Sequence, residues 1–177
     1  QDLLTYSRAD ITERIFENTD LNHIIDELRD DLKEELNDKQ ATLEATELCK
    51  VNIIPFQFRQ LMHNLIGNAL KFSNPTQPPY IIIKSEIAGG IALKNVKLSP
   101  QKTYCHISVS DNGIGFESEY NVKIFEVFFR LHTESQYKGT GIGLAIVKKI
   151  VENHGGIITV NSKLNKGTTF DIYIPAT

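Results

Sequence analysis

Three short runs in this 177-residue chain combine polar side chains with glycine in patterns that can support chemistry. In Phe56–Phe72, Asn64, Asn68 and Lys71 recur at i, i+4 and i+7, so on a helix they form one narrow stripe. Phe58, Leu61, Met62, Leu65, Ala69 and Phe72 form the adjoining apolar arc. Polar groups beside a buried seam are costly unless they meet water or a ligand. The stripe is therefore either a solvated helix edge or a pocket wall. In a pocket wall, Asn oxygens can ligate a hard cation such as Mg²⁺ and Lys71 can reach phosphate. In the second run, Asp111 ends a β-rich stretch beside Gly113 and Gly115. It is either an ordinary turn residue or a carboxylate placed to accept a hydrogen bond from the exocyclic amine of a base such as adenine. In the third, Gly139, Gly141 and Gly143 precede an amphipathic segment, whose free N–H groups and dipole offer an anion site. This run lacks the Gly-Lys-Ser/Thr of a P-loop, and the strand and trailing acid of a dinucleotide fold. A further cluster, Gly167, Thr168 and Thr169, enters the last apolar run.

The elements that must position these residues can be read from the periodicity. Residues 1–18 carry a broken helical stripe at Leu3, Leu4, Ile11, Ile15 and Phe16. Thr19 or Asp20 then caps a one-sided helix through about Asn37, with Leu21, Ile24, Ile25, Leu28, Leu32 and Leu36 inward and an acidic, solvated outer face. Ala41–Leu48 alternates as a half-buried strand, and Pro55 suits the first turn of the helix that follows. The Pro-rich 74–79 segment ends that helix. Tyr80–Ile87 and Tyr104–Ser110 are strands joined by a longer hairpin connection, in which no catalytic chemistry is visible. Glu117–Ile124 is a short helix, and Phe125, Phe128 and Phe129 form an aromatic cluster. Leu131–Lys138 is a polar, aperiodic loop and Ile142–Asn153 a helix ended by Gly155 and Gly156. Ile157–Asn161 and Thr168–Ile174 close the chain as two strands. Mixed strands and helices without strict alternation predict an α+β fold, a layered two-layer α/β sandwich.

Composition narrows the function classes. Hydrophobic residues make up 41% and charged residues 23%, ordinary for a globular protein with an ample core. A net charge of −3 shows no basic excess, so nucleic acid is not an expected partner. No apolar run approaches a membrane span, and the sequence shows no signal-peptide pattern. Cys49 and Cys105 lack metal-ligand spacing and read as reduced core or edge residues in a cytoplasmic setting. The chain opens inside a helical pattern, which suggests a piece of something longer.

Taken in order, these motifs resemble the ATP-binding catalytic domain of sensor histidine kinases, members of the GHKL (Bergerat-fold) superfamily. Asn64–Phe72 resembles the family's N box and Asp111–Gly115 its first glycine box. Phe125–Arg130 resembles the F box, Gly139–Leu144 the second glycine box and Gly167–Phe170 the last. His154, Gly155 and Gly156, with the short lid, resemble the phytochrome-related and PAS-linked kinases. The resemblance implies a Bergerat fold: a mixed, mostly antiparallel sheet with helices on one face. It would comprise 19–177, with a leading helix at 19–40 and a core at 41–177. Residues 1–18 would be the end of the second dimerisation helix.

The resemblance also implies roles. Asn68 would coordinate Mg²⁺ on the ATP phosphates, with Asn64 beside it as ligand support or for positioning. Lys71 would contact phosphate and Phe72 would wall the pocket. Asp111 would bond the adenine amine in a loop shaped by Gly113 and Gly115. Gly139, Thr140, Gly141, Gly143 and Leu144 belong to the lid closing over the triphosphate, and Arg130 would reach the γ-phosphate. Thr168 or Thr169 would support Asp111, through water if not directly.

Related hydrolases place a Glu four residues before the metal-binding Asn, where this chain has Asn64. A carboxamide is no useful base, so transfer to an imidazole is expected rather than to water. None of His23, His63, His106, His132 or His154 fits the acceptor pattern. The acceptor helix, on a dimerisation domain of the same parent kinase, would lie upstream of Gln1. The expected partners are that domain and a response regulator receiver domain. The parent would be a homodimer and this fragment a monomer or weak dimer. The alternative from another class is a nucleotide-binding regulatory module that transfers nothing.

Overall fold

The computed structural model describes residues 3–4, 15–131 and 139–176. The N-terminal helix expected over 1–18 falls largely outside the described residues. Leu3 and Leu4 are helical and exposed, and Glu17 and Asn18 already belong to a strand. That strand, β1 (Glu17–Asp20), runs into α1 (Leu21–Asp31), whose first turn is capped by Asp20 accepting the Asn22 N–H at 2.9 Å. The single helix expected through Asn37 breaks at Leu32, which leaves α-helical geometry (φ −98°, ψ 9°) before a short α2 (Lys33–Asp38). Strand β2 (Thr42–Ala45) is shorter than expected, and β3 (Lys50–Ile53) was not anticipated; it pairs antiparallel with β1.

Helix α3 (Pro55–Lys71) starts with Pro55 in its first turn, where a missing N–H costs nothing. Strands β4 (Tyr80–Gly89), β5 (Thr103–Asp111), β6 (Ile157–Lys163) and β7 (Gly167–Pro175) join β2 in one sheet of order β2-β4-β5-β7-β6. Only β2–β4 is parallel; the other three pairings are antiparallel. The helix expected at 117–124 is two 3₁₀ turns, Ser118–Tyr120 and Lys123–Phe125. Helix α4 (Gly143–Asn153) completes the helical layer.

Alternation decides which face is buried. Cys105, Ile107 and Val109 of β5 and Phe170, Ile172 and Ile174 of β7 point under the helices. There they meet Leu61, Leu65 and Ile66 of α3, Ile146 and Ile150 of α4, and Ile25 and Leu28 of α1 in one continuous core. This is the expected two-layer α/β sandwich. The outer face of the sheet is covered at one end by the 90–102 connection, through Leu98 packed with Tyr104 and Tyr173.

His154 ties the two long helices together. Its Nε2 accepts the Ile54 N–H at 2.9 Å and its Nδ1 lies 2.6 Å from the Ile150 carbonyl, so Nδ1 carries the proton. Phe16 and Phe58 pack edge-on against its ring. His154 is therefore a buried structural residue joining the start of α3 to the end of α4.

Candidate functional site

Helix α3 ends at the mouth of a cleft of about 260 Å³, between its C-terminal turn, the 111–116 loop and the glycine run that opens α4. Twelve of the residues singled out from the sequence line it: Asn68, Lys71, Phe72, Asp111, Gly115, Arg130, Gly139, Thr140, Gly141, Gly143, Leu144 and Thr168. Three others stand behind or beside it: Asn64, Gly113 and Thr169.

At one end lies Asp111, the last residue of β5. Its carboxylate accepts the Gly113 N–H at 2.8 Å and the backbone N–H of Thr168, its partner across the β5–β7 ladder. Burial pushes the carboxyl up to about 6 even though these two donors favour the ionised form. The loop leaves no room for a side chain at residue 113. A Cβ on Gly113 would come 2.5 Å from the Phe72 carbonyl oxygen. That carbonyl also accepts the Ile114 N–H at 3.0 Å, so the loop is stitched to the end of α3. Asn112 fixes the other side, accepting the Tyr80 N–H at 2.8 Å and donating to the Pro78 carbonyl at 3.1 Å.

A residue that the sequence reading did not flag, Ser162 of β6, anchors the same loop. Its buried hydroxyl accepts the Phe116 N–H at 2.9 Å and lies 2.8 Å from Thr168 Oγ1. Thr168 thus sits beneath Asp111, whereas Thr169 points to the opposite face of the sheet and bonds Ser110 Oγ at 2.8 Å. The apolar lining was also missed in part: Ile114, Phe116, Ile124 and Phe170 wall the cleft with Leu65, Ala69 and Phe129. Ile114, between two glycines required by the turn, was the clearest available signal.

At the other end the cleft is cationic. Lys71 and Arg130 both line it, and the Lys71 ammonium is held below its ordinary range by burial and then by the Arg130 charge. Lys71 Nζ lies 5.1 Å from the centre of the Phe72 ring and packs directly on Gly139, where a Cβ would meet it at 2.5 Å. Two cations drawn together in this way are favoured by an anion between them. Gly141 adopts φ +75°, and a Cβ there would lie 2.7 Å from the Phe128 backbone, whose N–H bonds the Gly141 carbonyl at 2.9 Å. The N-terminus of α4 has no side-chain cap, and Gly143 and Leu144 of its first turn line the cleft. Asn64 stands behind this turn, its oxygen close to Gly143 and its Nδ2 buried without a partner. Among the described residues no group of three His, Cys, Asp or Glu side chains could hold a metal ion. Also among them, no helix is long and apolar enough to cross a membrane.

The two-layer sandwich thus encloses, between its helix layer and the ends of β5 and β7, an apolar cleft with a buried carboxyl at one end and two cations at the other. Residues 54–177 match the family described as histidine kinase-, DNA gyrase B-, and HSP90-like ATPase, and the chain belongs to it. The chain is 37% identical over 98% of its length to cyanobacterial phytochrome A of Nostoc, and 33% identical over 97% to the signal transduction histidine-protein kinase ArlS of Staphylococcus aureus. It spans 21% of the former and 36% of the latter. Among solved structures it resembles the catalytic domain of histidine kinase ThkA, with a TM-score of 0.70 and 28% identity over 92% of this chain and 98% of that one. ThkA has also been solved in complex with the response regulator protein TrrA, a match of TM-score 0.67 and 25% identity over 92% of this chain and 42% of that one. The fold is that of a histidine kinase catalytic domain.

Proposed function

We propose that this domain binds ATP with Mg²⁺ and passes the γ-phosphate to a histidine on a dimerisation domain of its parent protein. The observation that carries this is the polarity of one cleft: a buried hydrogen-bond acceptor, Asp111, at one end and Lys71, Arg130 and the Gly139–Gly143 backbone at the other. Adenine suits the first end, with its exocyclic amine on Asp111 and its faces between Ile114, Phe116 and Phe170. The triphosphate suits the second.

The residues present fit a magnesium ion. Asn68 lines the cleft beside Lys71 and offers a neutral amide oxygen. With no acidic cluster nearby, Mg²⁺ would take its remaining ligands from phosphate and water, as it does in kinase sites. Bound there, it would neutralise phosphate charge.

The remaining chemistry is positioning. Asn64 can hydrogen-bond but cannot take a proton, and a neutral imidazole brings its own nucleophilic lone pair. Acceptance by a histidine outside this chain, a response regulator receiver domain downstream, a homodimeric parent and a cytoplasmic location all follow from the same reading. The relatives named as histidine kinases and the ThkA–TrrA complex support it. The test is calorimetry with a non-hydrolysable ATP analogue, with and without Mg²⁺, followed by phosphotransfer to a separately supplied dimerisation domain. Binding lost in Asp111→Ala and a Mg²⁺ dependence lost in Asn68→Ala are expected. Binding without transfer would leave a regulatory nucleotide module, and rapid ATP turnover by this chain alone would overturn the argument from Asn64.

A further inference from the structure

Away from the cleft, two thiols share one place in the core. Cys105 lies on the helix-facing side of β5, fully buried and in register with Ile87 of β4. Cys49 sits on the connection into β3 and is only partly buried, the less enclosed of the two. Its N–H donates to Ser85 Oγ at 2.7 Å, and Ser85 is two residues from Ile87 on the same face of β4. Its carbonyl accepts the Leu21 N–H at 3.2 Å, at the start of α1. Both cysteines are reduced, and the two thiols interact directly with each other. Neither takes part in the nucleotide site, and their spacing in the sequence gave no sign that they meet.

We propose that Cys49 and Cys105 form a reversible redox staple, closed by a peroxide-class oxidant and opened by a dithiol reductant. Cys49 is the attacking group, because it is the less buried of the two. Its sulfur takes one oxygen from hydrogen peroxide, giving a sulfenic acid and releasing one water as the O–O bond breaks. The Cys105 sulfur then attacks the Cys49 sulfur, the S–OH bond breaks, and the second water leaves with the Cys105 proton. Overall two thiols lose two electrons and two protons, and the peroxide is reduced to two waters. Burial pushes the Cys105 thiol up to about 12, which makes Cys105 inert as a first nucleophile; what serves the second step is its contact with Cys49, which places its sulfur beside the sulfenic acid.

The staple would fix the β1, β3 and α1 layer onto the central strand β5. It would close a loop of roughly 55 residues that contains all of α3, so it removes much freedom from the unfolded chain.

The experiment treats the 177-residue chain with hydrogen peroxide, blocks the remaining thiols with N-ethylmaleimide, and maps peptides without reduction. A linked Cys49–Cys105 peptide is expected, lost on adding dithiothreitol. The thermal midpoint should rise by roughly 5 °C or more in the oxidised protein and not in Cys49→Ser. Cys49→Ser alters a half-exposed site and keeps the fold. Cys105→Ala serves as the second control, in which Cys49 should stop at sulfenic acid. Recovery of Cys105 as its maleimide adduct, Cys49 oxidised to sulfinic acid, or a dimer linked through Cys49 would each overturn the proposal.

Discussion

Asp111→Asn should separate stability from nucleotide binding. The Asp111 carboxyl is raised from 3.8 to about 6 because burial outweighs the two N–H donors that hold it. The folded state therefore binds this proton more tightly than the unfolded state does. Stability from this group is fully present below the unfolded value and falls as pH rises through the interval up to about 6. A rise of about two units corresponds to roughly 3 kcal/mol between the two protonation states. The Asn side chain keeps the shape and one acceptor for the Gly113 N–H, but leaves the Thr168 N–H less well served, at about 1 kcal/mol. Near pH 7.5 the nucleotide-free variant should thus exceed wild type by about 2 kcal/mol, while near pH 4 it should be weaker by about 1 kcal/mol. The secure quantity is the difference between these differences, roughly 3 kcal/mol, or about 6–12 °C in thermal midpoint for a domain of this size. Calorimetric or circular-dichroism melts of both proteins from about pH 4 to 8 measure it. Titration with an ATP analogue in parallel should show binding lost in the variant throughout. A difference that stays flat with pH would refute the claim that burial disfavours the ionised form of Asp111.

Four further outcomes follow from the same geometry. Lys71→Met should weaken ATP binding about tenfold or more while leaving adenosine affinity unchanged, since Lys71 sits at the cationic end only; competition binding with the two ligands checks this. Gly141→Ala meets both a left-handed backbone and the Phe128 main chain, so nucleotide affinity should fall at least tenfold by calorimetry with the core melt nearly unchanged. Phe58→Ala, at the fully buried centre of the core beneath His154, should cost about 3–5 kcal/mol in denaturant unfolding. Asn64→Glu should raise phosphate release from ATP by about a hundredfold over a slow baseline, because a carboxylate can take the proton of water that a carboxamide cannot; an unchanged rate would count against the role assigned to Asn64.

What the sequence showed and what it hid divide along a physical line. The stripe of Asn64, Asn68 and Lys71 was legible because a helix fixes which residues share an edge from spacing alone. The glycine clusters were legible because few other residues accept such backbone crowding, and Gly113 and Gly141 do meet main chain where a Cβ would sit. Strands β1 and β3 were not legible: each has four residues, Glu17–Asp20 and Lys50–Ile53, too few for alternation to stand out. The break at Leu32 was hidden because the apolar stripe continues across it to Leu36. Thr168 and Thr169 could not be told apart because period two says only that they face opposite ways. The register Asp111↔Thr168 and Ser110↔Thr169 decides which one supports the carboxylate. Ser162 is the extreme case, since its value comes from meeting a loop 46 residues away in sequence.

Asn64 joins the two kinds of information. Its spacing from Asn68 placed it on the stripe, but only the fold shows it withdrawn behind Gly143 with its amide nitrogen buried and unpartnered. A buried donor left unpaired costs free energy that a hydrocarbon at the same place would not. That cost is reasonable where the phosphate end of a ligand will change the surroundings of the α4 N-terminus, and it is hard to explain on a merely solvated helix edge. Asn68 and Lys71, which line the cleft, separate the two readings left open by the stripe, in favour of a pocket wall. Asn64 also bears on the reaction. Under the proposed function, a group that can give and accept hydrogen bonds, yet cannot remove a proton from water, would suit a site that presents phosphate to a nucleophile arriving already activated.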